Sequence, residues 1–321
     1  MTDPASLKGR CCLVLGGGGF IGTNLCRYLL QLGAEVRGFG RSRSFPEALT
    51  GVAWTTGDFA DPAAVARAVA GSELVFHLVG GSLPESSNLD PSDDLAVTVP
   101  PTLHLLEVCR RSGVSKVIFA SSGGTIYGIP VAVPITEVSP TEPIAAYGIS
   151  KLAIEKYLAL HHRLHGLDYA ILRMANPFGP YQTGLRRQGV IAAFIERALR
   201  GEPLEIWGDG EVVRDFVYIG DVVDAIARSA VYRGPHHVFN VGHGTGRSIN
   251  QVFRDIESVL DRGALPKVNK SGRLADVPVN VLDIALIERE LGWRPRANWL
   301  SGLRATIDWF VIQRDARRAA Q

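Results

Sequence analysis

Residues 11–30, CCLVLGGGGFIGTNLCRYLL, decide the fold of this chain. An apolar run at 11–15 is followed by four glycines and then by a stretch with the apolar spacing of a helix. A strand that turns through glycines directly into a helix predicts the first unit of a parallel sheet with crossover helices. Glycines at 16, 19 and 22 let the backbone turn tightly and bring a pyrophosphate against the free N–H groups of the helix N-terminus. The sequence therefore predicts a dinucleotide-binding loop.

The same alternation of strand and helix continues on the C-terminal side of this loop. Apolar runs predict further strands at 35–40, 52–55, 74–79, 116–120 and 169–172, and periodic stretches predict helices at 63–70, 93–111 and 147–165. We expect residues 1–180 to form a Rossmann-type, doubly wound α/β domain. Residues 181–321 are expected to form a smaller mixed region that binds the substrate, with segments at about 213–241 returning to the first domain.

The composition excludes several classes of protein. The 321 residues are 46% hydrophobic and 21% charged, with a net charge of +2, so neither disorder nor a nucleic-acid partner is expected. Apolar runs fall far short of the roughly 20 residues that a membrane span needs, and residues 1–8 lack the apolar stretch of a secretory signal. The four cysteines show no C-x-x-C spacing. We expect a cytoplasmic protein with buried, reduced thiols and no metal site.

The end of the second predicted strand bears on the choice of cofactor. Gly40 stands where an acidic residue normally binds the adenosine ribose, and Arg41 follows it. Arg41 can accept the 2′-phosphate of NADP, or it can stack on the adenine or face solvent, so NAD and NADP both stay open. Asp58 follows the third strand, where its carboxylate either accepts from the adenine amino group or caps the next helix.

Two later segments carry groups suited to acid–base chemistry. The fifth strand leads into SSGGTIYG (121–128), and YGISK (147–151) begins a helix. Tyr147 and Lys151 are four residues apart and share a helix face. A cation at about 4 Å contributes about 4 kcal/mol at an effective dielectric constant near 20, which would lower the tyrosine pKa by about three units before desolvation opposes it. Tyr147 could then act as a general base near neutral pH.

The chain resembles the NAD-dependent epimerase/dehydratase family of extended short-chain dehydrogenase/reductases, which act on nucleotide sugars. The resemblance covers nearly the whole chain. Its markers are GGGGFIG (16–22), GDFAD (57–61), FHLVG (76–80), SSGGTIYG (121–128), YGISK (147–151), LRMANPFGP (172–180), VRDFVYIGDVVDAI (213–226) and ERELGWRP (288–295). The cofactor-binding residues expected from the loop and the resemblance are Gly16, Gly19, Phe20, Ile21, Gly22, Arg41, Asp58, Phe59, Leu78, Val79, Tyr147 and Lys151.

The resemblance implies a division of catalytic roles. Tyr147 would take the proton of the sugar 4-hydroxyl while hydride leaves C4 for the nicotinamide, and Lys151 would hold the cofactor ribose. The hydroxyl that usually completes the set aligns with Gly123, which has none. We therefore expect Thr125 to supply it, with Ser122 as the second choice.

The resemblance also implies how a nucleotide sugar would be held. Arg214 and Arg273 match the family's phosphate arginines, Phe216 or Trp207 would flank the uracil, and position 280 is the one that limits sugar size. The expected substrate-binding residues are Asn176, Gln188, Arg214, Arg273 and Asn280.

The reaction follows from what is absent beside the expected hydroxyl. The family's dehydratases carry an Asp-Glu pair where this chain has Gly124 and Thr125. The family's epimerase-reductases use a cysteine and a histidine instead, and no cysteine of this chain is expected near the site. We therefore expect a UDP-sugar 4-epimerase with a bound cofactor that is not consumed. A dehydrogenase/reductase of the same superfamily and a non-catalytic dinucleotide-binding protein are the alternatives. The family often forms homodimers through helices that correspond to 93–111 and 147–165.

Overall fold

The sheet and its connections are seen in a computed structural model, which describes residues 2–80, 87–183, 189–261, 263–272 and 277–319. The strands are β1 (Cys11–Leu15), β2 (Glu35–Gly40), β3 (Ala53–Thr56), β4 (Leu74–His77), β5 (Lys116–Ser122), β6 (Asp168–Met174), β7 (Asn176–Phe178), β8 (Leu204–Trp207), β9 (Val213–Tyr218), β10 (Val238–Val241), β11 (Gly246–Ser248), β12 (Lys267–Lys270) and β13 (Val279–Asn280). The helices are α1 (Phe20–Gln31), α2 (Pro62–Val69), α3 (Pro91–Arg111), α4 (Ala146–His165), α5 (Val190–Arg200), α6 (Ile219–Val231), α7 (Ile249–Leu260), α8 (Ala285–Leu291) and α9 (Trp299–Ala319), with short 3-10 turns at Pro4–Leu7 and Pro46–Leu49.

Seven strands form one parallel sheet in the order β10-β6-β5-β4-β1-β2-β3. Its central strands are continuous apolar runs, because helices cover both faces: α1 and α6 lie on one, and α2, α3 and α4 lie on the other. The predicted doubly wound α/β fold is thus confirmed. The direction of winding reverses between β1 and β4, and ligands of such sheets bind outside the carboxyl ends of the strands at this point.

A smaller layer lies beside the carboxyl edge of the sheet and is built around β9. This strand pairs in parallel with β7 and β13 and antiparallel with β11, while β8 pairs with β12. The helices α5, α7 and α9 enclose a separate apolar cluster. The chain leaves this layer through α6 and enters the edge of the main sheet at β10.

The ends of the predicted elements in the first 180 residues differ from the observed ones by at most two residues. The short strands β7, β11, β12 and β13 were not predicted, because two to four residues carry too little periodicity. All four cysteines are buried free thiols, as expected. Within the described part of the chain, each helix is too short or too polar to span a bilayer.

Candidate active site

The glycine loop forms a close-fitting turn at the carboxyl end of β1. Gly16 has a φ of +79°, and a Cβ there would lie 3.1 Å from the backbone carbon and oxygen of Leu78. A Cβ on Gly22 would lie 2.2 Å from the backbone oxygen of Gly16. Because the backbone approaches so closely at these two positions, only glycine fits there, and the first turn of α1 can lie directly against the loop.

The N-terminus of α1 suits an anionic ligand. Its N-cap is Gly19, and within the described residues the cap makes no side-chain hydrogen bond and the first turn holds no acidic residue. Phe20 and Ile21 form that turn and are half-buried. Backbone amides at an uncapped helix start, together with the helix dipole, bind phosphate groups well. The backbone of Leu78 and Val79 closes the other side of the cradle, as its contact with Gly16 requires.

The adenosine end of the predicted cofactor site is lined by basic and aromatic side chains. Arg41 and Arg43 are both exposed just after β2. The Arg43 guanidinium lies 5.8 Å from the centroid of the Trp54 ring, and the same ring lies beside Gly40, 3.6 Å from where a Cβ would stand. The last residue of β2 is Gly40 rather than an acidic residue, and Arg41 follows it. The adenosine end of the site therefore carries positive charge.

Asp58 is an exposed residue after β3, and its Oδ1 accepts a hydrogen bond from the Ala60 amide at 2.9 Å. The alternative that Asp58 caps the following helix is wrong, because Asp61 is the N-cap of α2 and accepts from the Ala63 amide. Phe59 is buried, with its ring centroid 5.0 Å from that of His77.

Tyr147 and Lys151 lie on one face of α4, at the carboxyl edge of the sheet. The first amides of α4 are capped from outside the helix: Ser87 Oγ accepts from the Tyr147 amide at 3.0 Å, and Asn88 Oδ1 accepts from the Ala146 amide at 2.9 Å. Lys151 Nζ donates to the backbone oxygen of Ala120 at 3.1 Å and lies 5.5 Å from the Tyr147 ring centroid. The two side chains are therefore brought together as predicted.

The protonation states of this pair differ from the expectation. Burial raises the pKa of Tyr147 to about 12, and the negative charge of Asp94 adds to the rise. Burial lowers the pKa of Lys151 to about 8, although Asp94 and Glu155 oppose this change. The net shift of the tyrosine pKa is thus upward rather than downward, because desolvation, which was expected to oppose the effect of Lys151, is the largest cause.

A buried polar network supports the strand that carries the serines. Ser121 Oγ donates to Glu155 Oε1 at 2.6 Å, and Arg173 Nη2 lies 2.7 Å from Glu155 Oε2. Arg173 Nη1 also donates to the Tyr127 hydroxyl at 3.0 Å. Since the Ser121 hydroxyl is committed to Glu155, it holds β5 against α4 directly before Ser122.

The segment after β5 presents the two hydroxyls that the sequence proposed. Ser122 is half-buried at the end of β5, and Thr125 lies against α4: a Cβ on Gly148 would be 2.9 Å from the Thr125 backbone oxygen. Thr125 Oγ1 is buried and makes no hydrogen bond to the described residues. A Cβ on Gly123 would lie 2.6 Å from Leu282 Cδ1, so the position where the family usually has a hydroxyl is already filled.

Three of the predicted substrate-binding residues lie on the β7, β9 and β13 strands beside this edge. Asn176 Nδ2 donates to the backbone oxygen of Asp215 at 3.0 Å, and Arg214 Nη1 donates to the backbone oxygens of Val213 and Val277. Asn280 is 1% exposed, and its Nδ2 donates to the backbone oxygen of Gly123 at 3.1 Å, while its Oδ1 is buried without a partner among the described residues. Gln188 and Arg273 lie outside the described residues.

The two aromatic side chains proposed beside a uracil differ in exposure. Phe216 is buried, with its ring 6.0 Å from that of Trp299, whereas Trp207 is 41% exposed at the end of β8. Because a stacking platform must be open to the ligand, Trp207 is the better placed of the two.

Sequence reasoning missed several buried polar residues around the site. Asp94 is 2% exposed, and Asp215 is fully buried and accepts from the backbone amides of His243, Gly244 and Leu282. Glu155 could have been found, because it continues the i, i+4 series from Tyr147 and Lys151 on one helix face. No periodic signal marks Asp94, which stands on another helix.

The fold and the site together define a dinucleotide-dependent enzyme of the short-chain dehydrogenase/reductase type. A glycine cradle stands at the switch point of a parallel sheet, and the half-buried Tyr147 lies at the same edge beside the buried Lys151. The sequence model of the NAD dependent epimerase/dehydratase family matches residues 12–242, and the chain belongs to this family.

Similar proteins include three sugar-nucleotide epimerases. UDP-glucose 4-epimerase of Mycolicibacterium smegmatis is 34% identical over 306 residues, 93% of this chain and 97% of that protein. The structure of UDP-glucose 4-epimerase from Thermotoga maritima with UDP-glucose has a TM-score of 0.89 at 37% identity and covers 94% of this chain and 99% of its own. UDP-glucose 4-epimerase of Thermus thermophilus in complex with NAD has a TM-score of 0.86 at 33% identity, with coverage of 94% and 98%.

Proposed function

We propose that this protein is a UDP-sugar 4-epimerase that oxidises C4 of the sugar transiently and returns the hydride to the opposite face. The observation that carries the proposal is the half-buried Tyr147 next to the buried Lys151 at the sheet edge beside the glycine cradle. The similarity to three UDP-glucose 4-epimerases across more than nine-tenths of the chain supports it.

Bound NAD would supply a nicotinamide that accepts and returns a hydride and is positively charged in its oxidised form. Residues 16–22 would hold the pyrophosphate, and the Lys151 ammonium would hold the ribose hydroxyls. The cradle fits this group, because the glycines leave no side chain between the loop and the uncapped amides of α1.

Tyr147 would accept the proton of the sugar 4-hydroxyl as the hydride leaves C4, which produces a 4-keto sugar. The Thr125 hydroxyl would donate to the same sugar oxygen, since Oγ1 makes no hydrogen bond within the described chain and is left to do so. After the keto sugar turns in the pocket, Tyr147 returns the proton to the oxygen as the hydride re-enters C4 from the other side. No net oxidation results, so the cofactor is not consumed.

Neighbouring groups favour epimerisation over elimination of water. Dehydration needs an acid and a base in addition to Tyr147, and positions 124 and 125 hold glycine and threonine. Cys109 is fully buried in α3, where burial raises its pKa to about 12, so it offers no acid or base to the sugar.

The cofactor is proposed to be NAD, with NADP as the second candidate favoured by the basic adenosine end. Arg41 and Arg43 are exposed after β2, in the region where a 2′-phosphate would be bound. Mass spectrometry of the nucleotide released from the purified protein decides between the two. If NADP is bound, Arg41→Ala should lower the affinity for NADP far more than that for NAD.

The proposed active form is a homodimer joined through α3 and α4. These helices expose apolar side chains that are 37% to 62% accessible: Leu95, Val97, Ile149, Tyr157, Leu160 and Leu164. An apolar surface of this kind, shared by two neighbouring helices, suits packing against its copy as a four-helix bundle.

Incubation with UDP-glucose, UDP-N-acetylglucosamine and UDP-glucuronate, without added nucleotide, tests the proposal. We expect a C4 epimer from at least one of them, detected by NMR or anion-exchange chromatography. Tyr147→Phe should abolish turnover and still bind the cofactor. The proposal fails if the wild-type protein forms no epimer from any of the three, and net consumption of NADH or NADPH would indicate a reductase instead.

A further inference from the structure

The segment that carries the proposed catalytic hydroxyls is held at both ends by one buried ion pair. At its first end, the Ser121 hydroxyl donates to Glu155 Oε1 at 2.6 Å. At its last end, the Tyr127 hydroxyl accepts from Arg173 Nη1 at 3.0 Å. Glu155 and Arg173 are paired with each other at 2.7 Å, and all four residues are at most 5% exposed. We call these four side chains the clamp, and Thr125 lies between its two ends.

The clamp joins the segment to the helix that carries the tyrosine. Glu155 continues the face of α4 that holds Tyr147 and Lys151, since the three residues are four apart. Arg173 lies in β6, where it is the register partner of Ser121 in β5. The ion pair therefore sets how far the segment after β5 stands from the catalytic face of α4.

The ion pair keeps its own hydrogen bonds when either hydroxyl is deleted. Arg173 Nε donates to both carboxylate oxygens of Glu155 at 3.1 and 3.2 Å, and Nη1 donates to the backbone oxygen of Glu137 at 3.1 Å. A buried ion pair is tolerated only when such bonds satisfy its remaining donors and acceptors. The hydroxyls of Ser121 and Tyr127 are additional to these bonds, so their removal tests the segment rather than the fold.

Between the two ends, the backbone is also held at Gly123. Its amide donates to the backbone oxygen of Met174 at 2.8 Å, and its carbonyl accepts from Asn280 Nδ2 at 3.1 Å. The Thr125 hydroxyl makes no hydrogen bond to the described residues, so its position depends on the backbone on either side of it. On the C-terminal side the nearest member of the clamp is Tyr127, two residues away.

We propose that the clamp positions the catalytic hydroxyl of the segment. By holding both ends, it keeps Thr125 at the distance from Tyr147 at which both hydroxyls reach one sugar oxygen. The four residues of the clamp are positioning residues, since each is buried and acts through the segment. The inference rests on the proposed epimerase function for the role of Thr125, whereas the holding of the segment can be tested without turnover.

Two variants, Ser121→Ala and Tyr127→Phe, each delete one hydroxyl of the clamp and leave its ion pair in place. Because one hydrogen bond is equivalent to a factor of about 2–12 in an equilibrium, we expect kcat of epimerisation to fall by about this factor in each. Tyr127→Phe should have the larger effect, since it also removes the bond that the hydroxyl donates to Asn240 Oδ1 at 2.7 Å. KM and the affinity for NADH should change little in both.

Matched controls delete buried hydroxyls elsewhere in the fold. Tyr232→Phe removes a bond of 2.7 Å to Glu290 Oε2, at the sheet edge where Lys116 begins β5 and donates to the Tyr232 backbone oxygen. Ser229→Ala removes a bond of 2.8 Å to the backbone oxygen of Ile226 within α6. Both controls should lose similar stability in urea and keep the wild-type kcat.

A double-mutant cycle separates positioning from a general loss of stability. In protein that already carries Thr125→Val, the clamp variants should cause little further loss of kcat, because no hydroxyl is left to position. A merely structural role would lower kcat by the same factor in both backgrounds, and that result would overturn the inference. If Ser122 supplies the hydroxyl, the cycle uses Ser122→Ala, since Ser122 lies in the same segment. Wild-type kcat in both Thr125→Val and Ser122→Ala would also overturn it.

Hydrogen exchange, read by mass spectrometry of the nucleotide-free protein, tests the clamp without turnover. Backbone amides of residues 123–126 should exchange faster than in the wild type by about 2- to 12-fold in both clamp variants, and at the wild-type rate in both controls. Unchanged exchange, or faster exchange in only one clamp variant, would show that the ion pair does not hold both ends and would overturn the inference. Absence of epimerase activity in the wild type would instead refute the proposed function and leave the exchange test intact.

Discussion

Replacing Thr125 by valine should make this protein more stable and less active. Thr125 Oγ1 is buried and has no hydrogen-bond partner among the described residues. A buried hydroxyl without a partner costs about 1–3 kcal/mol, and a methyl group of nearly the same size removes this cost. We expect the free energy of unfolding of Thr125→Val to rise by about 1 kcal/mol, measured by urea unfolding of the nucleotide-free protein.

The loss of activity follows from the same atom. In the proposed reaction Thr125 donates a hydrogen bond to the sugar oxygen as that oxygen loses its proton, and bonds to groups that carry charge contribute about 1.5–3 kcal/mol. At about 1.4 kcal/mol for each factor of ten, kcat should fall by about 10- to 150-fold. Ser122→Ala is the matched control and should change kcat much less. Wild-type kcat in Thr125→Val would refute the assignment, and a large loss in Ser122→Ala alone would transfer the role to Ser122.

Three further predictions concern the framework around the site. Glu155→Gln leaves Arg173 without its buried carboxylate partner and should lower the free energy of unfolding by about 3–5 kcal/mol; a urea midpoint equal to that of the wild type would contradict this. His77 stays neutral in the folded protein, because burial lowers its pKa from 6.5 to about 3, so below pH 6.5 only the unfolded chain takes up this proton. As the pH falls below 6.5, the free energy of unfolding should therefore decrease by about 1.4 kcal/mol per pH unit because of this residue. In His77→Gln the free energy of unfolding should decrease less steeply with falling pH. If the proposed dimer forms, Leu160→Glu on α4 should convert it to a monomer in light scattering, whereas Leu300→Glu, at a similarly exposed position on α9, should not.

The main sheet could be predicted because its signals are local. The run 11–15 is apolar throughout because β1 is covered on both faces. A side chain at Gly16 or Gly22, in the turn after it, would collide with the backbone, so these positions must be glycine. The layer around β9 could not be predicted in the same way. Strand β13 has two residues, and its place beside Arg214 is set by partners far away in the chain.

The site was predictable in its residue types but not in its electrostatics. Tyr147 and Lys151 share a face because of helix geometry alone, so their proximity follows from spacing. Their pKa values depend on how deeply α3 and the sheet bury them and on Asp94, more than 50 residues earlier in the chain. A pairwise estimate that contains only the tyrosine and the lysine leaves out desolvation, and desolvation is the larger effect.

Burial therefore favours the neutral phenol of Tyr147, the form that cannot abstract a proton. With a tyrosine pKa near 12 and a lysine pKa near 8, the neutral phenol and the ammonium coexist at neutral pH. Positive charge in the site would favour the tyrosinate, and the oxidised nicotinamide of a bound cofactor would bring such a charge. In the proposed reaction, loss of this charge on reduction would favour return of the proton to Tyr147. The burial that opposes the tyrosinate would then make the basicity of Tyr147 depend on the redox state of the cofactor.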